Sequence, residues 1–243
     1  MTNLTAIEVE LLRNGLTSIC DEMYVALMRS AYSTNIKERK DHSTAIFDVR
    51  GRVIVQGESM PLHLASMLGL VEVVLERVGP ENLQPGDMFI SNDPFVGRGS
   101  HLPDVALVAP VFYGDQLVFF VADIAHHADI GGMAPGSMAG GMTEIYQEGL
   151  RIPPIRLMRD GEIVAAYWRN PHVNFTLKTV DDDGTEQLWE MEAASWNTLA
   201  RKGVPRNVFQ AGARVTVTVN RSTKRPRQLS VTNVLLDNGT EVI

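Results

Sequence analysis

The 243 residues are 44% hydrophobic and 21% charged, enough for one or two globular domains whose cores need no disulfide staples, and the single cysteine, Cys20, excludes an internal disulfide. A net charge of −7 argues against general affinity for nucleic acid or an anionic membrane. With no run of about 18 apolar residues to span a bilayer, and an acidic N-terminus without the apolar centre of a secretory signal, the chain reads as cytoplasmic.

Thr5 and Glu8 have the spacing of a capping box. Leu12, Leu16, Ile19, Met23 and Leu27 then recur at steps of three and four, which predicts an amphipathic helix to about Ala31. Cys20 lies within it, where a small structural residue is a better reading than a nucleophile. Asn35 to Ser43 is polar and reads as a loop. Ser43–Phe47 and Val53–Gln56 flank the turn signal Asp48-Val49-Arg50-Gly51 and predict a hairpin. A second helix is predicted from about Leu64 to Val78, with Leu64, Met67, Leu68, Val71, Leu75 and Val78 as its apolar face and Gly79-Pro80 as its stop.

Asp87–Ser91 is a strand candidate, and Val105–Phe112 and Leu117–Ala125 form a pair joined by a short turn. Gly131 to Gly141 is rich in glycine, methionine and small residues, a loop of the kind that carries function beside rigid strands. The texture changes near Glu162 to Asn170. Val173–Val180 and Thr185–Glu192 read as a hairpin around Asp181-Asp182-Asp183-Gly184, and Ser195–Lys202 as a short helix stopped by Gly203. Arg214–Asn220 and Gln228–Leu236 alternate as strands, followed by the turn signal Asp237-Asn238-Gly239. The expected fold is α+β. A first domain, residues 1–164, holds a helix, hairpin, helix and mixed β-sheet; a second, residues 165–243, is small, β-rich and barrel-like.

Five of the six histidines fall in the first domain: His42, His63, His101, His126 and His127. His101 and Asp104 form a His-x-x-Asp unit, His126-His127-Ala128-Asp129 ends a predicted strand, and Asp41 lies in the loop after the first helix. Antiparallel pairing of the two long strands brings Asp104 and His126 to one end, within reach of His101, and Asp41 is placed to close the shell. Imidazole and carboxylate together suit zinc, manganese or iron better than calcium. A lone His-x-x-Asp is, however, more often a local hydrogen bond than a metal site. Neighbours on a strand point to opposite faces, so at most one of His126 and His127 is a ligand. His63 alone favours packing, and the Gly131–Gly136 loop has backbone N–H groups that an anion could use but is better read as a turn that needs glycine. No phosphate-binding P-loop and no nucleophile elbow occur, so any ATP chemistry requires another chain. Arg214, Arg221, Lys224, Arg225 and Arg227 form a basic strip in the second domain, better read as solvated surface than as a nucleic-acid site.

Several ordered blocks resemble the N-terminal part of the hydantoinase B/oxoprolinase family, over about residues 5–163. They are Asn35 to Asp41, Ala45-Ile46-Phe47-Asp48, Pro61-Leu62-His63-Leu64, Ser91-Asn92-Asp93-Pro94, His101-Leu102-Pro103-Asp104, His126 to Gly132 and Gln147 to Pro154. The resemblance, of the N-methylhydantoinase B-subunit type, implies a metal held by Asp41, His101, Asp104 and His126. His127 and His63 would then be catalytic neighbours, with Glu148 as a candidate for proton transfer. It further implies a subunit of an ATP-coupled cyclic amide hydrolase acting on hydantoin, 5-oxoproline or lactam. ATP and Mg would be bound only by an A-type partner, and the chain would be part of an oligomer. Relatives with carboxylase chemistry, such as acetone carboxylase, keep a carboxylase-branch subunit open, as does a truncated, non-catalytic metal-binding or assembly module. Arg98 stands where the family usually has a more glycine-rich run, and the family's usual continuation past Glu162-Ile163 is replaced. Residues 165–243 instead resemble a small bacterial β-rich domain of unknown function.

Overall fold

The computed structural model describes residues 4–57, 60–158, 161–181, 184–221, 228–236 and 241–242. Two compact units emerge, one of residues 1–83 and 87–157, the other of residues 84–86 and 158–243. The second begins before the 164/165 boundary expected from sequence because strand β7 (Gly161–Tyr167) already belongs to the barrel.

In the first unit, α1 (Ala6–Ser30) starts at the expected capping box, in which Thr5 Oγ1 accepts the Glu8 N–H and Glu8 accepts the Thr5 N–H. Its buried stripe differs from the expected one. Cys20 is the one buried residue and Leu16 packs beside it, while Leu12 and Ile19 are about half exposed. The expected loop after α1 instead holds a single helical turn, α2 (Thr34–Lys37), and β1 (His42–Asp48) begins directly after Asp41. Strands β2 (Val53–Gln56), β3 (Met88–Ser91), β4 (Asp104–Tyr113), β5 (Gln116–His126) and β6 (Ile155–Met158) complete a sheet ordered β2-β1-β5-β4-β3-β6. Helix α3 (Pro61–Arg77) opens three residues earlier than expected, with Pro61 in its first turn, where a missing N–H costs nothing.

The side chains of Ala45 and Phe47 on β1, Phe120, Ala122 and Ile124 on β5, and Ala106 and Val108 on β4 share one face of the sheet. They pack there with Met67, Leu70, Val71 and Val74 of α3. The opposite face carries Ile46 and Val55 against Leu16 and Cys20 of α1. No helix among the described residues is long and apolar enough to cross a membrane.

The second unit is a closed barrel of β7, β8 (Val173–Val180), β9 (Glu186–Ala193), β10 (Arg214–Arg221) and β11 (Gln228–Leu236), in the order β10-β11-β9-β8-β7. β9 and β11 run parallel, and helix α4 (Trp196–Arg201) lies between β9 and β10 in the chain. This is the strand order of an OB-type barrel. Phe175, Leu177, Met191, Val215 and Phe209 fill the interior. β8 and β9 pair along their full lengths, from Val173↔Ala193 to Val180↔Glu186. Among the described residues β7 and β10 pair at Arg214↔Glu162 and Val215↔Gly161, with bonds from Ile163 N–H to Ala213 O and from Gly212 N–H to Ile163 O beside them. The outer side of β8 and β9 carries exposed Glu186 and Glu190, and Lys178 bridges Glu162 and Glu186. Of the basic strip expected from sequence, Arg214 is exposed, while Lys224, Arg225 and Arg227, like the Asp237-Asn238-Gly239 turn, lie outside the described residues.

Candidate metal centre

Asp104, the first residue of β4, faces His126, the last residue of β5, as a cross-strand pair. The Asp104 N–H donates to His101 O, a turn that folds His101 back over the carboxylate. As a result Asp104 Oδ1 lies 2.9 Å from both His101 Nε2 and His126 Nδ1. The two imidazole rings are 5.0 Å apart. Coordinating atoms of all three residues fall within 4.8 Å of one another, close enough to share one ion.

Burial alone would raise the Asp104 carboxyl, but hydrogen bonds from His101, Ser100 and His126 outweigh it and hold the group down at about 2. The same hydrogen bond raises His101 against the effect of its burial. Asp104 therefore stays an anion, the form a cation requires.

Asp41 is tied to the same strand end by its backbone: its carbonyl accepts the His126 N–H at 3.0 Å. Its Oδ1 is a buried oxygen with no hydrogen-bond partner, 3.6 Å from His63 Nε2. A buried carboxylate oxygen without a partner is costly unless something positive meets it. His101, Asp104 and His126 supply two imidazoles and a carboxylate, a donor set that fits a divalent ion of the zinc, manganese or iron type, while Asp41 stands outside this group of three with its Oδ1 facing His63. His63 is fully buried in the first turn of α3, where its Nδ1 meets Ser43 Oγ at 2.8 Å and its Nε2 lies 3.9 Å from Asp104 Oδ2. His127 is exposed and its N–H is bonded to Pro103 O; it is not part of the cluster.

A cavity of about 380 Å³ opens beside His101, lined by Ser137, Met138, Ala139, Gly140, Met142 and Glu148. Glu148 has two jobs there: Oε2 accepts the Leu102 N–H at 2.9 Å, holding the ligand loop, while the carboxylate also faces the cavity. The glycine loop is not a vacant anion cradle. The N–H groups of Gly131 and Gly136 donate to the Asp129 carboxylate, those of Ile130 and Gly132 donate to Ser137 Oγ, and Ser137 Oγ–H donates to Asp129. The chain supplies its own anion at these amides, in line with the preferred reading of the segment as a glycine turn.

Sequence reasoning gave no role to Ser43, Asn92, Asp93 or Arg151. Asn92 Nδ2 donates to Leu102 O and Leu150 O, and its Oδ1 accepts the Ile152 N–H, so one amide ties the ligand loop to the cavity wall. Asp93 accepts from Phe95 and Val96 N–H and from Arg151 Nε. The signal was present, since Ser91 to Pro94 and Arg151 stand in matched blocks, but contacts about 60 residues apart cannot be read from spacing.

The family model for hydantoinase B/oxoprolinase matches residues 5–180, and one for a family of unknown function matches residues 154–228. Similar proteins include the 5-oxoprolinase of Dictyostelium discoideum, 39% identical over 66% of this chain and 12% of that protein. The caprolactamase subunit beta of Pseudomonas jessenii is 35% identical over 67% of this chain and 28% of that protein. The chain thus spans only an eighth to just over a quarter of the length of these relatives. Among solved structures, the ATP-dependent caprolactamase from Pseudomonas jessenii aligns with a TM-score of 0.56 and 33% identity, over 64% of this chain and 27% of that one. An acetone carboxylase shares the fold, with a TM-score of 0.54 at 14% identity, over 74% of this chain and 37% of that one. The chain belongs to the hydantoinase B/oxoprolinase family.

Proposed function

We propose that this chain contributes the metal centre of a cyclic amide hydrolase that is coupled to ATP through an A-type partner subunit. The convergence of His101, Asp104 and His126 within 4.8 Å carries this reading. Asp41, His101, Asp104 and His126 would hold a zinc, manganese or iron ion. Bound there, a divalent ion supplies Lewis-acid polarisation of an activated carbonyl carbon and acidifies water at the site.

The residues of the chain do the rest. His101 borders the cavity, so a small cyclic amide placed against Met138, Ala139 and Met142 meets the ligand set from one side. Glu148 sits on that side and is the group placed to carry a proton to the leaving nitrogen. His127, exposed and outside the cluster, is placed at most to contact a substrate or partner at the rim. ATP would be bound and spent by the partner, in keeping with the subunit naming of the caprolactamase relative.

The test combines the metal-loaded chain with an A-type subunit, ATP and hydantoin, 5-oxoproline or caprolactam. Product formation that disappears on chelation and returns with metal is the expected result. Stoichiometric metal without turnover of any of the three, under saturating partner, would sink the hydrolase reading and leave a binding module.

A further inference from the structure

We infer, resting on the metal-centre reading above, that His63 is a positioning residue for that centre: it holds back one oxygen each of Asp41 and Asp104, and Ser43 fixes the tautomer that lets it do so.

The placement argues against a substrate role. His63 is 1% exposed and Ser43 fully buried, and neither lines the cavity beside His101. Ser43 on β1 pairs with Ile124 on β5, which puts its side chain on the α3 face of the sheet, the face that also carries Asp104 and His126. Pro61 starts α3 so that His63 drops onto this face in the first turn.

The hydrogens follow from the partners. Ser43 Oγ meets His63 Nδ1 at 2.8 Å and has no other side-chain partner among the described residues. Nε2 on the other side of the ring looks at Asp41 Oδ1 at 3.6 Å and Asp104 Oδ2 at 3.9 Å. Ionised carboxylates only accept. A lone pair on Nε2 would face two more lone pairs, so the proton belongs on Nε2 and the serine hydroxyl donates to Nδ1.

The distances are longer than hydrogen bonds. Nε2–H therefore acts as one shared positive edge between two carboxylates rather than as the partner of either. The division of labour within Asp104 supports this. Its Oδ1 faces His101 and His126, while Oδ2 takes the Ser100 hydroxyl at 2.6 Å and faces His63. Each carboxylate thus has one oxygen turned toward His63, and Asp104 presents the other to the ligand set. Such supporting groups fix ligand orientation and typically matter 10–100-fold in metal affinity.

The experiment uses the full chain and cobalt(II) as a spectroscopic probe, with Ser43→Ala, Ser43→Thr, His63→Leu and His63→Gln. Affinity is read by titration, ligand geometry by the visible absorption of the cobalt complex, and integrity by thermal unfolding of the metal-free proteins. Ser43→Ala and His63→Leu are expected to weaken cobalt binding about 10–100-fold. Ser43→Thr, which keeps the hydroxyl, and His63→Gln, which keeps an N–H, are expected to recover most of the loss. The inference is overturned if Ser43→Ala and His63→Leu bind as tightly as the parent chain. It is equally overturned if His63→Gln fails to rescue and the cobalt spectrum shows a nitrogen ligand lost, since His63 would then be a ligand itself. If His63→Leu does not fold, Ser43→Ala and Ser43→Thr decide the matter. A parent chain that binds no cobalt at all refutes the metal centre, which is a different result from a parent that binds and variants that do not differ.

Discussion

A Cβ placed on Gly69 would lie 2.5 Å from the Cβ of Arg98 and 2.9 Å from its carbonyl oxygen. Helix α3 and the loop leading to His101 therefore touch through a glycine. Arg98 itself adopts φ +59° and reaches back over the helix to Glu72 and Glu76, at 2.6 and 2.9 Å. These ion pairs are exposed and contribute little by themselves; the backbone contact is what sets the loop's height above α3.

Gly69→Ala is accordingly expected to destabilise the first unit by about 1–3 kcal/mol, because the clash with backbone outweighs the better helix propensity of alanine. Gly15→Ala is the control. Gly15 sits in the middle of α1 with open space around it, and there the same change is expected to stabilise by up to about 1 kcal/mol. Thermal unfolding of both variants checks the pair, and a stabilising Gly69→Ala would refute the contact.

Asp104→Asn keeps the shape of the side chain and removes its charge. It is expected to cost more than the roughly 100-fold in metal affinity that a merely supporting residue costs. Elemental analysis after dialysis against a stoichiometric metal buffer reads this directly. A full equivalent retained by the variant would remove Asp104 from the ligand set.

Glu148→Gln and Glu148→Ala separate the two uses of that carboxylate. Glutamine still accepts the Leu102 N–H but cannot carry a proton at neutral pH, so turnover in the assembled enzyme is expected to fall about 100-fold or more with metal content intact. Alanine is expected to lose turnover and also to loosen the His101 loop, seen as weaker metal binding. Equal turnover of parent and Glu148→Gln would dismiss the proton-transfer role.

Asp123 gives a pH dependence of unusual sign. It stands on β5 between Thr44 and Leu107, on the face turned away from α3, with no ion-pair partner among the described residues. Burial pushes its carboxyl up to about 6. Between its unfolded value near 3.8 and about 6 the folded chain holds a proton that the unfolded chain does not. Its contribution to stability is therefore full below about 4 and is lost as pH rises through about 6. Asp104 works the other way: its contribution is present above 3.8 and is lost as pH falls toward about 2. Asp123→Asn is expected to raise the Tm at pH 7–8 and to leave it nearly unchanged at pH 4. A Tm difference independent of pH would contradict the assignment.

Local chemistry was the legible part of this chain. The Thr5/Glu8 box, the turn at Asp48 to Gly51 and the alternation of β8 to β11 each depend on neighbours within a few residues, and each appeared where expected. His101, Asp104 and His126 were legible for a similar reason, since a hairpin converts their separation into adjacency. Ser43 and Asn92 were not. Ser43 matters only because β1 lies beside β5 and α3 lies on that face. Asn92 gains its role from partners at Leu102, Leu150 and Ile152. The stripe of α1 was misread because Leu12 and Ile19 satisfy a helical period without having a surface to cover. The glycine loop was half legible: composition gave the loop, but not that Asp129 already fills it.

The β7–β10 pairing has a dynamic consequence. Among the described residues, the β7–β10 seam is held by two residue pairs and two neighbouring backbone bonds. The amides of Ile163 and Gly212 should thus exchange with solvent deuterium ahead of those along β8 and β9. Faster exchange there than along β8 and β9 would mean that the barrel breathes at the edge where β7 meets β10.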